Sequence, residues 1–221
     1  MKYSVCLALL GLFSAVSANA SPLPPSIDFA MHFSRLDTTL KNGQQEIATT
    51  VKQIGIASFD LSQNTLQPGL AIGYAYINDS DQAVTAGMAL EGFFFAPSLR
   101  GLLFDNRSLS GTLTATYLYQ RVKDSNADRM VTLEWQQPQL DLDVKYRVTR
   151  QIDLLLGARY GRANVDETIT GDIQQSLTLN AGPTLGYRAG MEIELGGRGQ
   201  VGLSLHHAIG DGVEIYFQRQ F

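Results

Sequence analysis

The stretch from Ser176 to Leu195 reads SLTLNAGPTLGYRAGMEIEL and decides the fold class. Its odd positions, from Leu177 to Leu195, are almost all apolar, whereas its even positions are hydroxyl-bearing, amide, charged or glycine residues. Because side chains of a β-strand alternate between its two faces, this pattern predicts a strand with one apolar face. An ordinary strand has about five or six residues. A strand of this length is typical of a wall between lipid and a polar interior, so we expect the odd positions to face lipid.

Alternation of the same kind recurs along the chain. With the long stretch, the following segments make ten: residues 27–35, 47–60, 70–76, 84–94, 109–121, 131–148, 152–160, 201–205 and 213–217. An even number of strands returns both termini to the same end. The sequence therefore predicts an all-β fold, a transmembrane antiparallel up-and-down β-barrel of ten strands. Eight strands remain the alternative if the first hairpin or the irregular stretch at residues 96–108 is miscounted.

Two strands interrupt their own alternation. The apolar positions change parity between Val51 and Ile54, and again near Pro138, where Trp135 and Leu140 would otherwise lie on opposite faces. A β-bulge restores parity by inserting one residue, and proline is tolerated at bulges. We therefore expect a bulge at each place, with the apolar residues on both sides of it facing lipid. In the segment 84–94 the same parity rule puts Phe94 outward, and residues 164–175 are expected to form a polar loop.

Composition limits the classes of protein that remain. Charged residues make up 17% of the chain, against roughly 25% in soluble domains. The mean hydropathy of −0.04 fits a barrel, in which lipid-facing and interior residues average out. The net charge of −4 gives no reason to expect nucleic acid as a partner. A secreted β-sandwich would also alternate, but its strands would be shorter.

The N-terminus has the pattern of a secretory signal peptide. Lys2 precedes an apolar run at residues 5–16, and small residues follow at Ala18 and Ala20. We expect cleavage after Ala20, which makes residues 1–20 the signal peptide, 21–25 a short leader and 26–221 the barrel. The only cysteine, Cys6, lies within the signal, so the mature chain has no disulfide and no thiol chemistry.

The end of the chain resembles a known class of proteins. An alternating strand with Val213, Ile215 and Phe217 on one face and the C-terminal aromatic Phe221 is similar to the last strand of small bacterial outer-membrane β-barrels (OmpA-, OmpX- and OmpW-like). Arg219 departs from that pattern, where an apolar residue is usual. The resemblance implies location in the bacterial outer membrane and an assembly signal read by the barrel-assembly machinery. It also implies outer-membrane lipid and lipopolysaccharide as surroundings.

The polar faces of the predicted strands carry many charges. In a narrow barrel such groups must pair, so we expect an ion-pair and water network inside the lumen. Two functions fit: a structural barrel with a polar interior, or a narrow pore that prefers cations because carboxylates are in surplus. The residues expected in this network are Glu91, Glu134, Asp141, Asp143, Lys145, Arg147, Arg159, Arg188, Glu192, Glu194 and Glu214.

Two further functions are compatible with a small barrel. A surface-interaction or adhesion barrel would act through its outer loops, which are expected to be short. A lipid-modifying enzyme would need a nucleophile and a base, and Ser204 lies two residues from His206 on one face. The motif around His206 and His207 does not match the His-x-Ser-Asn pattern of lipid A deacylase barrels. We therefore expect a protein that is not an enzyme, with no cofactor and, given three histidines and no mature cysteine, no metal site.

Overall fold

The computed structural model describes residues 27–221 apart from residues 44, 63–64, 80–87, 126–128, 173 and 197–198. The predicted signal peptide and leader lie outside the described residues. The described residues form ten β-strands: β1 Ile27–Asn42, β2 Gln45–Asp60, β3 Leu66–Asp79, β4 Leu90–Asp105, β5 Leu109–Ser125, β6 Arg129–Arg147, β7 Ile152–Gly171, β8 Gln175–Gly196, β9 Gly199–His207 and β10 Gly210–Gln220.

The strands close into one antiparallel barrel. Each strand pairs with its neighbours in the sequence, and β1 pairs with β10 from Asp28↔Gln220 to Thr38↔Gly210. The ten-stranded barrel predicted from the sequence is confirmed, and the eight-stranded alternative is wrong. No helix in the described part of the chain is long and apolar enough to span a membrane. Both ends of the described chain lie together at one end, which we name the periplasmic end because outer-membrane barrels keep short turns and both termini there.

The opposite, outer end is narrower than the periplasmic end. The hairpin of β9 and β10 turns back at residues 208–209, while β8 and β1 continue above it and pair directly at Lys41↔Asn180. Thr38 Oγ1 ties this junction by donating a 2.6 Å hydrogen bond to the carbonyl oxygen of Ile209. The periplasmic half is therefore a ring of ten strands and the outer half a ring of eight.

The two halves have opposite polarity. On β1 the exterior carries Phe29 and Phe33 in the periplasmic half and then Arg35 and Lys41 in the outer half. The interior of the same strand changes from Asp28 at the periplasmic end to fully buried Leu40 at the outer end. The apolar exterior of the periplasmic half forms the lipid-facing belt, and the polar exterior of the outer half extends beyond it.

A cluster of buried apolar side chains packs inside the outer half, where Glu167 and Thr49 are buried polar neighbours among the described residues. We name this cluster the plug. It consists of Leu40, Ile47, Val51, Ala75, Ile77, Met88, Leu90, Phe94, Val122, Val131, Leu133, Trp135, Ala163, Val165, Ile169, Leu179 and Ala181, all with 9% exposure or less.

The strands exchange their inward and outward apolar faces between the two halves of the barrel in two ways. On β6 the pairing with β5 runs without a register shift past Tyr117↔Pro138, so Leu133 and Trp135 point inward and Leu140 points outward on one regular strand. The predicted bulge near Pro138 is therefore wrong. The predicted bulge between Val51 and Ile54 is also wrong, because β2 keeps its register with β1 throughout.

On β8 the sequence keeps its alternation and a bulge inverts the faces. Between the pairs Gly161↔Thr184 and Ala163↔Ala181, β8 has two residues where β7 has one. Odd positions above this bulge, such as Leu179, are buried in the plug, whereas odd positions below it, such as Leu185, face lipid. The prediction that all odd positions from Leu177 to Leu195 face lipid is correct only below the bulge.

Three smaller predictions are corrected by the structure. Residues 96–105 belong to β4, which has a register shift between Leu102 and Phe104. Residues 164–171 extend β7 and are not a loop. Phe94 is 3% exposed and points inward, because the outer half has an apolar interior.

Candidate functional site

The interior of the periplasmic half is a polar cavity of about 370 Å³. Charged side chains from β4, β6, β7, β8 and β10 line it, and threonines of β5 cover another wall. They point inward because, below the plug, each strand directs its apolar residues to the lipid belt. We name this cavity and its charged lining the lumen network.

Arg188 on β8 is the centre of the lumen network. Its Nη1 lies 3.2 Å from Asp143 Oδ2 and its Nη2 lies 3.1 Å from Glu214 Oε2. The same Nη2 donates to Ser204 Oγ at 3.2 Å. His32 Nδ1 lies 3.5 Å from the other oxygen of Glu214. One guanidinium thus links β6, β9 and β10 across the barrel, as its planar fork of donors allows.

A second chain of contacts descends the inward face of β6. Trp135 Nε1 donates to Gln137 Oε1 at 3.0 Å, and Gln137 Nε2 donates to Gln139 Oε1 at 3.0 Å. Gln139 Nε2 then donates to Asp141 Oδ2 at 2.6 Å. Arg159 Nε from β7 closes the chain at Asp141 Oδ1, also at 2.6 Å. Residues spaced by two along one strand can do this because they share a face.

The periplasmic end of the cavity holds another pair. Lys145 Nζ lies 2.5 Å from Glu192 Oε2, and the hydroxyl of Tyr216 donates to Glu192 Oε1. The Lys145 side chain is 32% exposed and that of Glu192 is 7% exposed. The lumen network is therefore reached by solvent from the periplasmic end.

Asp28 is held near the same end by two groups. Gln218 Nε2 donates to Asp28 Oδ2 at 2.5 Å, and Arg100 Nη1 lies 3.6 Å from that oxygen. The guanidinium of Arg100 stacks on the ring of Phe59, with 3.7 Å between Cζ and the ring centroid. Among the described inward residues of the cavity, four bases thus meet five acids, so the charges nearly cancel.

Several buried polar atoms of the cavity have no protein partner among the described residues. They include Asp143 Oδ1, Arg188 Nε, His32 Nε2 and His206 Nδ1. Buried polar atoms of this kind bind water in proteins, and a cavity of this size has room for on the order of ten water molecules. We therefore expect the lumen network to hold water.

The predicted lumen residues divide into three groups. Seven point into the lumen network: Asp141, Asp143, Lys145, Arg159, Arg188, Glu192 and Glu214. Two lie at the periplasmic rim, where Arg147 pairs with Asp153 at 3.0 Å and Glu194 is exposed.

The remaining two predicted lumen residues are on the exterior. Glu91 is exposed and accepts a hydrogen bond from the hydroxyl of Tyr74, and Glu134 lies 3.5 Å from Arg121. Both predictions failed because these residues belong to the outer half, where the inward face is apolar. Arg100 was missed because it lies in the irregular stretch of β4, where alternation gave no face.

The C-terminal residues proposed as an assembly signal lie on the lipid side. Ile215 and Phe217 are 44% and 46% exposed on the exterior of β10, with Val213 on the same face. Phe221 is 63% exposed, and its backbone nitrogen donates to the carbonyl oxygen of Ile27 at 2.9 Å. Their role in assembly stays a prediction.

The two side chains considered for a catalytic dyad are not joined to each other. Ser204 Oγ is engaged by Arg188, and no hydrogen bond joins Ser204 to His206. Among the described residues, no group of three or more His, Cys, Asp or Glu side chains is placed to hold a metal ion.

Comparison with known proteins identifies solved structures with the same fold. No protein-family model and no curated protein sequence matches the chain. Three solved structures resemble it over nearly the whole length. They are the outer-membrane protease OmpT from Escherichia coli (TM-score 0.51, 10% identity, 92% of this chain and 100% of that chain), an outer-membrane channel from Pseudomonas putida F1 (0.52, 11%, 92% and 98%) and the β domain of the Bordetella autotransporter BrkA (0.52, 12%, 89% and 100%).

These likenesses show a shared fold. The chain is an outer-membrane β-barrel, as its lipid-facing belt and closed antiparallel sheet require. It therefore lies in the bacterial outer membrane, as the resemblance of its last strand implied.

Proposed function

We propose that this protein is a structural outer-membrane barrel that does not conduct and is not an enzyme. The plug carries this proposal. Four different strands each contribute a fully buried side chain to the interior of the outer half: Leu40, Ile77, Leu133 and Leu179. Because packed apolar side chains leave no path for hydrated ions, the lumen network ends blindly at the plug.

The charge balance of the lumen network supports the same function. A cation-preferring pore needs unpaired carboxylates along its path, whereas Asp141, Asp143 and Glu214 each pair with an arginine. Paired charges that link β6, β7, β8 and β10 fix the strands to one another. The engagement of Ser204 by Arg188 favours a role without hydrolysis.

Current through planar bilayers tests the proposal. Purified, folded protein inserted into a bilayer should give no stepwise current at moderate voltage. Insertion is verified separately by protection of the barrel from protease in the same lipid. Reproducible current steps that scale with the amount of inserted protein would overturn the sealed barrel and restore the narrow pore.

A second candidate function is surface interaction through the outer half. β6, β7 and β8 have 19, 20 and 22 residues, whereas about 9 to 11 residues cross the membrane. The excess presents a folded polar surface outside the lipid. Saturable binding of the protein in nanodiscs to the surface of other cells, lost when the exterior residues of that half are substituted, would support this candidate.

A further inference from the structure

A groove of about 1270 Å³ runs along the exterior wall formed by β2, β3, β4 and β5. We name it the β2–β5 groove. Ile54, Ile56 and Ile72 contribute to its surface, together with the aromatic side chains Phe93 and Phe95. Phe93 is 75% exposed, the highest value for a large apolar side chain in the described residues. The groove lies at the outer edge of the lipid-facing belt.

Aromatic pairs give this groove a fixed shape. Tyr74 meets Phe93 edge-on with 5.8 Å between ring centroids, and Phe95 meets Tyr119 at 5.3 Å. Such pairs hold rings in one orientation. The groove is thus a preformed apolar surface with ridges, suited to straight hydrocarbon chains.

Cations border the outer edge of the groove. The cross-strand register places Lys52 beside Tyr76, Tyr76 beside Glu91 and Glu91 beside Lys123, in one row directly above Phe93. Lys52 Nζ lies 5.7 Å from the centroid of the Tyr76 ring. Lys123 makes no ion pair with any residue that the structure describes.

The acids near this row are already engaged. Glu91 accepts a hydrogen bond from the Tyr74 hydroxyl. Glu134 lies 3.5 Å from Arg121, whose side chain stays 63% exposed. Lys52 and Lys123 make no ion pair with the described residues, so both can meet an anionic group outside the protein.

We propose that the β2–β5 groove binds a phosphorylated glycolipid of the outer leaflet. Its acyl chains lie along the isoleucine and phenylalanine side chains, and its phosphates meet the cations above them. Neighbouring strands are about 4.8 Å apart, so Lys52 on β2 and Lys123 on β5 are attached about 14 Å apart. That spacing suits a lipid with several acyl chains and two separated phosphates better than a two-chain phospholipid with one.

The affinity for purified lipid A tests this proposal. The folded protein in neutral detergent is titrated with lipid A, and its thermal unfolding temperature is followed, since a ligand that binds only the folded state raises it. A lysine near anionic lipid contributes about fivefold to binding. The variant Lys52→Gln/Lys123→Gln should therefore bind about 25-fold more weakly, with its unfolding temperature in lipid-free detergent unchanged.

A matched control uses another exposed cation above the belt. Arg162 is exposed on the exterior of β7, on a different wall of the barrel. Arg162→Gln should leave lipid A binding unchanged. Dephosphorylated lipid A and phosphatidylglycerol should each bind the wild-type protein at least tenfold more weakly.

Four outcomes would overturn the proposal. They are an absence of saturable binding of lipid A, an equal loss with Arg162→Gln, equal binding of the dephosphorylated lipid and equal binding of phosphatidylglycerol. The last two would mean, respectively, that the groove recognises acyl chains alone or any anionic lipid.

Discussion

Trp135 and Gln137 lie two residues apart on the inward face of β6, joined by a 3.0 Å hydrogen bond from the indole Nε1 to the amide Oε1. This bond marks the boundary between the plug and the lumen network. Trp135 is 1% exposed among apolar residues, while Gln137 begins the polar chain that ends at Asp141. A tryptophan suits the boundary because its apolar ring can be buried while its N–H finds a partner.

The number of residues at the bulge of β8 should be critical. Deleting both Gly182 and Pro183 joins Ala181 directly to Thr184, so every side chain of the outer part of β8 changes face. Leu179 would leave the plug and Thr178 would enter it. We expect this deletion variant to yield no folded barrel in the heat-modifiability assay, in which folded barrels migrate faster on gels before boiling.

The control for the bulge is Gly182→Ala. A Cβ at Gly182 meets nothing within 4 Å, so this variant should fold as the wild type does. A folded deletion variant with wild-type stability would contradict the inversion by the bulge.

Arg188 should contribute more to stability than an exterior arginine. Arg188→Met leaves Asp143 and Glu214 without their guanidinium partner in a mostly buried site, a change that costs about 3 kcal/mol in the free energy of unfolding. Arg121→Met breaks only an exposed contact with Glu134 and should cost less than about 1 kcal/mol. Urea unfolding in the same detergent or vesicle measures both, and equal losses would show that the lumen network does not hold the strands together.

Gly73 should not tolerate a side chain. A Cβ there would lie 2.2 Å from the carbonyl oxygen of Ile54 and 2.6 Å from the ring of Phe94. Gly73→Ala should therefore lower the unfolding temperature, because either the β2–β3 pairing or the packing of Phe94 has to shift. Gly101→Ala is the control, since its nearest atom is 3.8 Å away. Unfolding of both variants at the wild-type temperature would contradict the steric clash at Gly73.

The sequence predicted the strands better than their faces. Alternation alone predicted ten strands and the shared end of the termini, because side chains of a strand must alternate wherever the environment differs between its faces. It placed the fourth strand at residues 84–94, whereas β4 is Leu90–Asp105. Alternation does not say which face is inside. On β8 an uninterrupted pattern concealed the bulge at Gly182 and Pro183, and on β6 an interrupted pattern near Pro138 suggested a bulge where the strand is regular.

The same limit applies to the charged residues, because alternation does not say which of them face the interior. Arg188 and Glu214 point into the cavity because they lie below the inversion, where the apolar residues of each strand face lipid. Glu91 and Glu134 were misplaced because they lie above it. The signal that could have distinguished them is length, since a strand of 19 residues such as β6 exceeds what the membrane needs and must have a second environment.

Fluorescence quenching of Trp135 tests the central claim most directly, because Trp135 is the only tryptophan of the chain. The claim is that the outer half encloses a dry plug. The folded protein in vesicles should show blue-shifted emission that neither aqueous iodide nor brominated acyl chains quench. Strong quenching by brominated lipid would place Trp135 on the lipid face, and strong quenching by iodide would mean that water fills the outer half; either result would contradict the sealed barrel.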